Sequence, residues 1–255
     1  MTSPVKAWVE RDGKLLRLRI DRPKANILDA AMNAALEQAL SEHGGAPALR
    51  GILIDSAGGH FSFGASIEEH LPDRCAAMLE GFHRLVLKIF SSEVPVLAVV
   101  RGQCLGGGLE VVSACHLIFA GADAKLGQPE IQIGVIAPAA SCLLPERVGL
   151  AAAEDMLLSG RAIDAAEAHR IGLVNAVADD PEAAALAYFD KHLAPKSAQA
   201  LRHATRAARQ DTVDRVAAKL KKIEKIYLDE LMATADAVEG LTAFIEKRPA
   251  RWKDA

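Results

Sequence analysis

A chain of 255 residues, 51% apolar, 4% aromatic and 25% charged, is long enough to bury a sizeable core without disulfide staples. Its formal net charge of −3 excludes a strongly basic nucleic-acid binder and an acidic tail, and it points to small partners. The four cysteines (Cys75, Cys104, Cys115, Cys142) lie far apart with no C-x-x-C pair, so neither a zinc site nor a disulfide framework is expected, and a reducing compartment is.

The opening Met1-Thr2-Ser3-Pro4-Val5-Lys6 has no apolar core of secretory-leader length. The longest nearly uninterrupted apolar run, residues 94–100, is far shorter than the roughly 18 to 20 residues that span a bilayer. A cytoplasmic protein is expected.

The first twenty residues read as a hairpin: Leu16, Leu18 and Ile20 alternate with Arg17 and Arg19 after an Asp12-Gly13 turn, giving one buried and one wet face. Met32, Leu36, Ala39 and Leu40 at helical spacing predict a helix over 28–42, which Gly44-Gly45 stops. Residues 49–55 read as a buried strand. Phe82, Leu85, Val86 and Ile89 predict a helix over 81–90, followed by a strand at 94–100 and a glycine cluster opening another helix.

Strand-like runs recur at 115–120 and 171–177, with helical stretches at 139–148 and 151–158 between them. Alternation of this kind implies parallel pairing and an α/β fold class. After about Asp180 only helical pattern remains, broken at Pro195 and near Thr212 and Thr234. The basic stretch 202–225 interleaves its charges with apolar residues and carries no stacking aromatics, so it reads as a solvated helix face.

Much familiar chemistry is absent. There is no G-x-x-x-x-G-K-[ST], no G-x-G-x-x-G heading a dinucleotide unit, no G-x-S-x-G and no H-E-x-x-H. The eight histidines read as surface or satisfied structural residues. Three segments remain. Arg101-Gly102-Gln103-Cys104-Leu105-Gly106-Gly107-Gly108-Leu109-Glu110 passes from strand to helix, so its free N–H groups can stabilise an oxyanion with Glu110 one turn on. His60-Phe61-Ser62-Phe63-Gly64-Ala65-Ser66-Ile67 follows a strand end, where α/β proteins bind ligands. In Leu126-Gly127-Gln128-Pro129-Glu130-Ile131, a stiff apolar setting desolvates a carboxyl and raises its pKa toward neutrality. Each segment taken alone also reads as an ordinary turn.

Together the segments resemble the crotonase (enoyl-CoA hydratase/isomerase) superfamily. The resemblance covers nearly the whole chain, from Arg22-Pro23-Lys24-Ala25-Asn26 through the F-x-x-G-A loop, G-G-G-x-E and G-Q-P-E, to Glu239-Gly240-Leu241-Thr242-Ala243-Phe244-Ile245-Glu246-Lys247-Arg248. It implies a spiral of ββα units with a C-terminal helical trimerisation region, hence a core with the acyl-CoA site over 1–195 and an oligomerisation region over 196–255. A homotrimer or dimer of trimers would follow.

The resemblance also implies roles. Ala65 and Gly107 would supply oxyanion-hole N–H groups, and Glu110 and Glu130 would be the two acids of a hydratase that adds water to an enoyl-CoA. Lys24, Ala25, Phe63, Gly64, Ser66, Ile67 and Gly106 would lie along coenzyme A or the acyl group, with Phe244 and Lys247 reaching a neighbouring subunit's CoA. No metal or redox cofactor is implied, because CoA arrives with the substrate.

Two departures stand out: Ser66 replaces the aspartate usual in hydratases, and Ala137-Pro138-Ala139-Ala140-Ser141 replaces a glycine-rich stretch. The string from His60 to His70 resembles most the cyclohexa-1,5-diene-1-carbonyl-CoA hydratases of anaerobic benzoyl-CoA degradation. That implies water addition giving 6-hydroxycyclohex-1-ene-1-carbonyl-CoA. The rivals are a linear short-chain 2-enoyl-CoA hydratase and a noncatalytic acyl-CoA-binding or RNA-binding homologue.

Overall fold

The computed structural model describes residues 3–255. Strands β1 (Val5–Glu10) and β2 (Leu15–Ile20) form the expected antiparallel hairpin, with Val5 opposite Ile20. Helix α1 (Ala30–His43) starts where the Asp29 side chain accepts the Met32 N–H at 2.9 Å and stops at Gly44. Then come β3 (Gly51–Ser56), α2 (Cys75–Phe90) and β4 (Val96–Val100). Helix α2 begins at Cys75 rather than Gly81, because Met78 and Leu79 extend its buried stripe by more than a turn.

Strand β5 (Gln103–Leu105) and helix α3 (Gly107–Ala114) follow, then β6 (Leu117–Gly121), β7 (Lys125–Gly127), α4 (Pro138–Val148), α5 (Leu150–Ser159) and β8 (Ala162–Asp164). Helix α6 (Ala165–Arg170), β9 (Ala176–Ala178) and α7 (Pro181–Tyr188) lead to the long α8 (Ala198–Lys225) and finally α9 (Ala235–Ile245). The predicted strand at 171–177 shrinks to three residues, because the Leu173 and Val174 N–H groups both return to the Ala168 carbonyl and close off α6. Thr212 does not break α8, whose 28 residues run without interruption.

The main sheet has the order β1-β2-β3-β4-β6-β9 and is parallel from β2 onward. Side-chain parity divides it into two dry faces. Leu16, Leu18, Ile20, Ile52, Ile54, Val96, Ala98 and Val100 join the large cluster that includes α1, α2 and α3. Leu15, Leu53, Leu97, Val99 and Phe119 pack instead against Ala185, Phe189 and Leu193. Burying each such aliphatic side chain is worth about 1.5–3 kcal/mol, so both faces stabilise the sheet substantially.

The face expected to be wet is therefore covered, and Arg17 is 3% exposed. It survives burial because its guanidinium reaches Asp55 and Glu182 at 2.5 Å each, while Arg19 grips both Asp55 oxygens at 2.7 Å. A buried charge is tolerated only when paired in this way. Val216 and Leu220 of α8, with Tyr227 and Leu241, belong to the same large cluster as the α/β layers.

A second sheet, β5-β7-β8, was not expected. Its strands are three residues each, too short to show a period of two. Parallel pairing of Leu105 with Gly127 makes β5 and β7 end side by side, and the Gly106 N–H donates to the Gly127 carbonyl at 2.9 Å.

Candidate active site

Three loops meet where β3 and β4 end and where β5 and β7 run out together, the carboxyl ends at which α/β sheets bind ligands. The first loop, after β3, is fixed from beneath. The Phe63 N–H donates to the Ala25 carbonyl at 3.0 Å, the Leu28 N–H to the Gly64 carbonyl at 3.0 Å, and the Ser62 hydroxyl accepts the Gly64 N–H at 3.0 Å. Buried Asn26 steadies both arms, with its amide donating to the carbonyls of Ala57 and His60. Gly64 sits at φ 110°, a conformation that side chains resist.

The second loop delivers Gly106 and the start of α3. A Cβ placed on Gly107 would lie 3.1 Å from the Ala65 nitrogen, so the two backbone amides are neighbours. Among the described residues, neither of these N–H groups donates to another group. Two adjacent unspent donors, one of them at a helix N-terminus, form a receptor for a negatively charged oxygen. The far end of α3 is held by cations: Arg147 of α4 donates to the Ser113 carbonyl at 2.6 Å, and Arg209 of α8 to those of Ala114 and Cys115 at 2.9 and 2.8 Å. Cations there complement the helix dipole.

Glu110 occupies the first turn of α3, is 5% exposed, and accepts the Ala140 N–H from the first turn of α4 at 2.9 Å. Burial pushes its pKa up to about 7, with the Ala140 and Ala139 amides opposing the rise. Glu130 sits in a 3-10 turn (Pro129–Ile133) that directly follows β7. Its Oε1 comes within 2.7 Å of the position a Cβ would take on Gly106, whose φ of 50° is itself a conformation that side chains resist. Burial and the charge of Glu110 both raise its pKa well above the usual range. With its nitrogen turned toward Glu130, the buried Gln128 amide donates to the two carboxyl oxygens at 3.0 and 3.2 Å.

Phe63, Gly64, Ala65, Ile67, Gly106, Glu110 and Glu130 line one cleft, together with Ala137 and Pro138 of the segment that departs from the glycine-rich pattern. Other sequence candidates lie outside its wall. Ser66 donates to Glu68 at 3.1 Å, Lys24 is exposed beside the first loop, and Phe244 and Lys247 are exposed at the end of α9. The cleft also contains side chains that sequence reasoning missed: Met78, Leu79, Phe82 and His83 of α2, His70, Ile133 and Ile136. The available signal was a histidine on the apolar stripe of an amphipathic helix. Among the described residues, no cluster of His, Cys, Asp and Glu could hold a metal ion, and no helix is long and apolar enough to cross a membrane.

Paired carboxyls beside two free amides can in chemical terms move protons and receive an oxyanion, and the layered α/β units with helices at the C-terminus are the crotonase fold. The chain belongs to the enoyl-CoA hydratase/isomerase family, whose sequence profile matches residues 10–255. It is 63% identical over 253 residues to a cyclohexa-1,5-dienecarbonyl-CoA hydratase of Thauera aromatica, covering 99% of this chain and 98% of that one. It is 35% identical to a probable enoyl-CoA hydratase of Bacillus subtilis, covering 92% and 94%. A crystal structure of an enoyl-CoA hydratase from Mycobacterium avium subsp. paratuberculosis superposes with a TM-score of 0.86 at 27% identity, covering both chains completely.

Proposed function

We propose that this chain is a hydro-lyase that adds water to cyclohexa-1,5-diene-1-carbonyl-CoA, giving 6-hydroxycyclohex-1-ene-1-carbonyl-CoA. The observation that carries hydration is the pairing of Glu110 and Glu130 in one cleft with the Ala65 and Gly107 amides. The cyclic substrate rests on the identity shared with the Thauera aromatica hydratase over nearly the full length of both chains. The CoA thioester is the substrate itself, and no further cofactor enters.

The two carboxyls divide the work because one charge suppresses the other. Glu110, with a value near 7, is available as a carboxylate at neutral pH, whereas the Glu130 carboxyl beside it keeps its proton. Glu110 takes a proton from water as the water oxygen bonds to the ring carbon β to the thioester. The displaced electron pair moves onto the thioester oxygen, where the Ala65 and Gly107 amides stabilise the dienolate. When the thioester carbonyl re-forms, the electron pair passes to the far end of the diene, and that carbon takes the proton of Glu130. The net change is addition of one water, and proton exchange resets the two acids.

The same reading gives the remaining candidates their tasks. Lys24, Ala25 and the 63–67 loop run along the CoA chain, and Ser66 leaves room that an aspartate would fill. Residues 196–255 serve assembly into a trimer or dimer of trimers, in which Phe244 and Lys247 reach a neighbour's CoA. Residues 1–195 carry the site, and the enzyme works in the cytoplasm. Assays of water addition to a panel of enoyl-CoA thioesters test the substrate: the cyclic dienoyl-CoA should give the highest kcat/KM. Equal or faster turnover of crotonyl-CoA replaces the cyclic reading with the linear one.

A further inference from the structure

His83 is a polar group that the catalytic scheme does not use. It stands on α2 within the otherwise apolar wall formed by Met78, Leu79 and Phe82, and it is 4% exposed. Its Nδ1 lies 3.0 Å from Oε2 of Glu224, which reaches in from α8 across 141 residues of sequence. A carboxylate only accepts, so the facing ring nitrogen carries the proton and donates it. Burial lowers the pKa of His83 although Glu224 opposes the drop, which keeps the ring neutral and leaves Nε2 with a lone pair. Nε2 is buried and, among the described residues, has no hydrogen-bond partner. A buried acceptor left unpaired costs stability unless some other group serves it, and because His83 lines the cleft, a donor on a ligand packed against this wall could serve it.

We propose that His83 is a specificity-determining residue whose Nε2 accepts a hydrogen bond from the hydroxyl installed on the substrate ring, with Glu224 fixing its tautomer. This inference rests on the hydratase reading and adds to it the recognition of the hydroxylated ring. The rest of the acyl wall on α2 is Met78, Leu79 and Phe82, which grip a ring but cannot distinguish a hydroxyl from a hydrogen. A site that hydrogen-bonds a ligand hydroxyl discriminates against the analogue lacking it, because the buried partner is then stranded.

The test compares two thioesters, 6-hydroxycyclohex-1-ene-1-carbonyl-CoA and cyclohex-1-ene-1-carbonyl-CoA, by their inhibition constants against hydration in the wild type, His83→Phe, His83→Gln and Glu224→Leu. Wild type should favour the hydroxylated ligand by about tenfold. His83→Phe should abolish most of that preference while changing affinity for the deoxy ligand less than about twofold, which also reports an intact fold. His83→Gln, whose amide oxygen can replace the imidazole acceptor, should restore part of the preference. Glu224→Leu should reduce it about threefold by freeing the tautomer. An unchanged ratio in both His83→Phe and Glu224→Leu, or an equal loss of affinity for both ligands, overturns the proposal while leaving hydration standing. A wild-type enzyme that hydrates no enoyl-CoA overturns the hydratase reading and this inference with it.

Discussion

Two clusters of charge lie inside this molecule, and they behave in opposite ways. Behind the sheet, Asp55 and Glu182 are clasped by Arg17 and Arg19; although burial pushes Glu182 up, hydrogen bonds from Arg17 win and hold it below the usual carboxylate range. In the cleft, no cation among the described residues pairs with Glu110 or Glu130, which face only amides and each other, and both are pushed up. Burial is common to the two places, and the partner makes the difference. A carboxyl matched by a guanidinium holds elements together, whereas one left with another carboxyl holds a proton near neutral pH and can hand it to a substrate.

The comparison breaks most sharply under amide substitution in the cleft. Glu110→Gln and Glu130→Gln should each lower kcat/KM for hydration by about 10²–10⁴, the usual worth of a positioned acid or base. The double variant should fall well short of the product of the two, since they act as a unit. Steady-state assays check both, and hydration left unchanged by either substitution would remove its residue from the mechanism.

The ion cluster should answer in stability instead. Arg17→Met removes one of the two guanidiniums on Asp55 and leaves Arg19 to hold it alone, so it should cost less than a fully stranded buried charge, about 1–3 kcal/mol in denaturant unfolding. The surviving folded enzyme should keep kcat/KM within about twofold, because Arg17 lies on the opposite face of the sheet from the cleft cluster.

An effect of opposite sign should come from the cleft. Folded Glu110 keeps its proton up to about 7, whereas an unfolded glutamate releases it near 4.5, so this group makes the fold less stable as pH rises through that window. Glu110→Gln should therefore be more stable than wild type at pH 8, by about 1–3 kcal/mol, and show no gain at pH 4. Thermal melts at the two pH values read the crossover.

The weakest expected change concerns Glu182. Its folded pKa lies below the ordinary 4.5, so its contribution is complete above that value and is lost as pH falls through the lower one. Glu182→Gln should therefore lower stability slightly in the neutral region and flatten the acid limb, with the two proteins converging at low pH. A steeper acid limb in the variant would contradict the pairing.

Local pattern carried much of this architecture, as far as one or two turns of chain can. The parity of Leu16, Leu18 and Ile20 correctly separated the two faces of β2, and the Gly44 stop closed α1, whose start lies two residues later than the spacing placed it, behind the Asp29 cap. Parity says which residues share a face and nothing about what covers it. Arg17 looked solvated because α7, which buries it, lies 165 residues further along the chain. The β5-β7-β8 sheet escaped notice for a similar reason: its strands exist only through pairing with each other.

The alternation of strand-like and helical runs determined an α/β chain, and its motifs named the glycine loops and both glutamates. Those are properties of residue type and near-neighbour spacing, which a linear sequence contains in full. Three-dimensional packing decided that the Ala65 and Gly107 amides are adjacent, that Glu130 sits against Gly106, and that His83 meets Glu224. Proton affinity depends on distance and on exclusion of water, and both are set only when distant segments pack together.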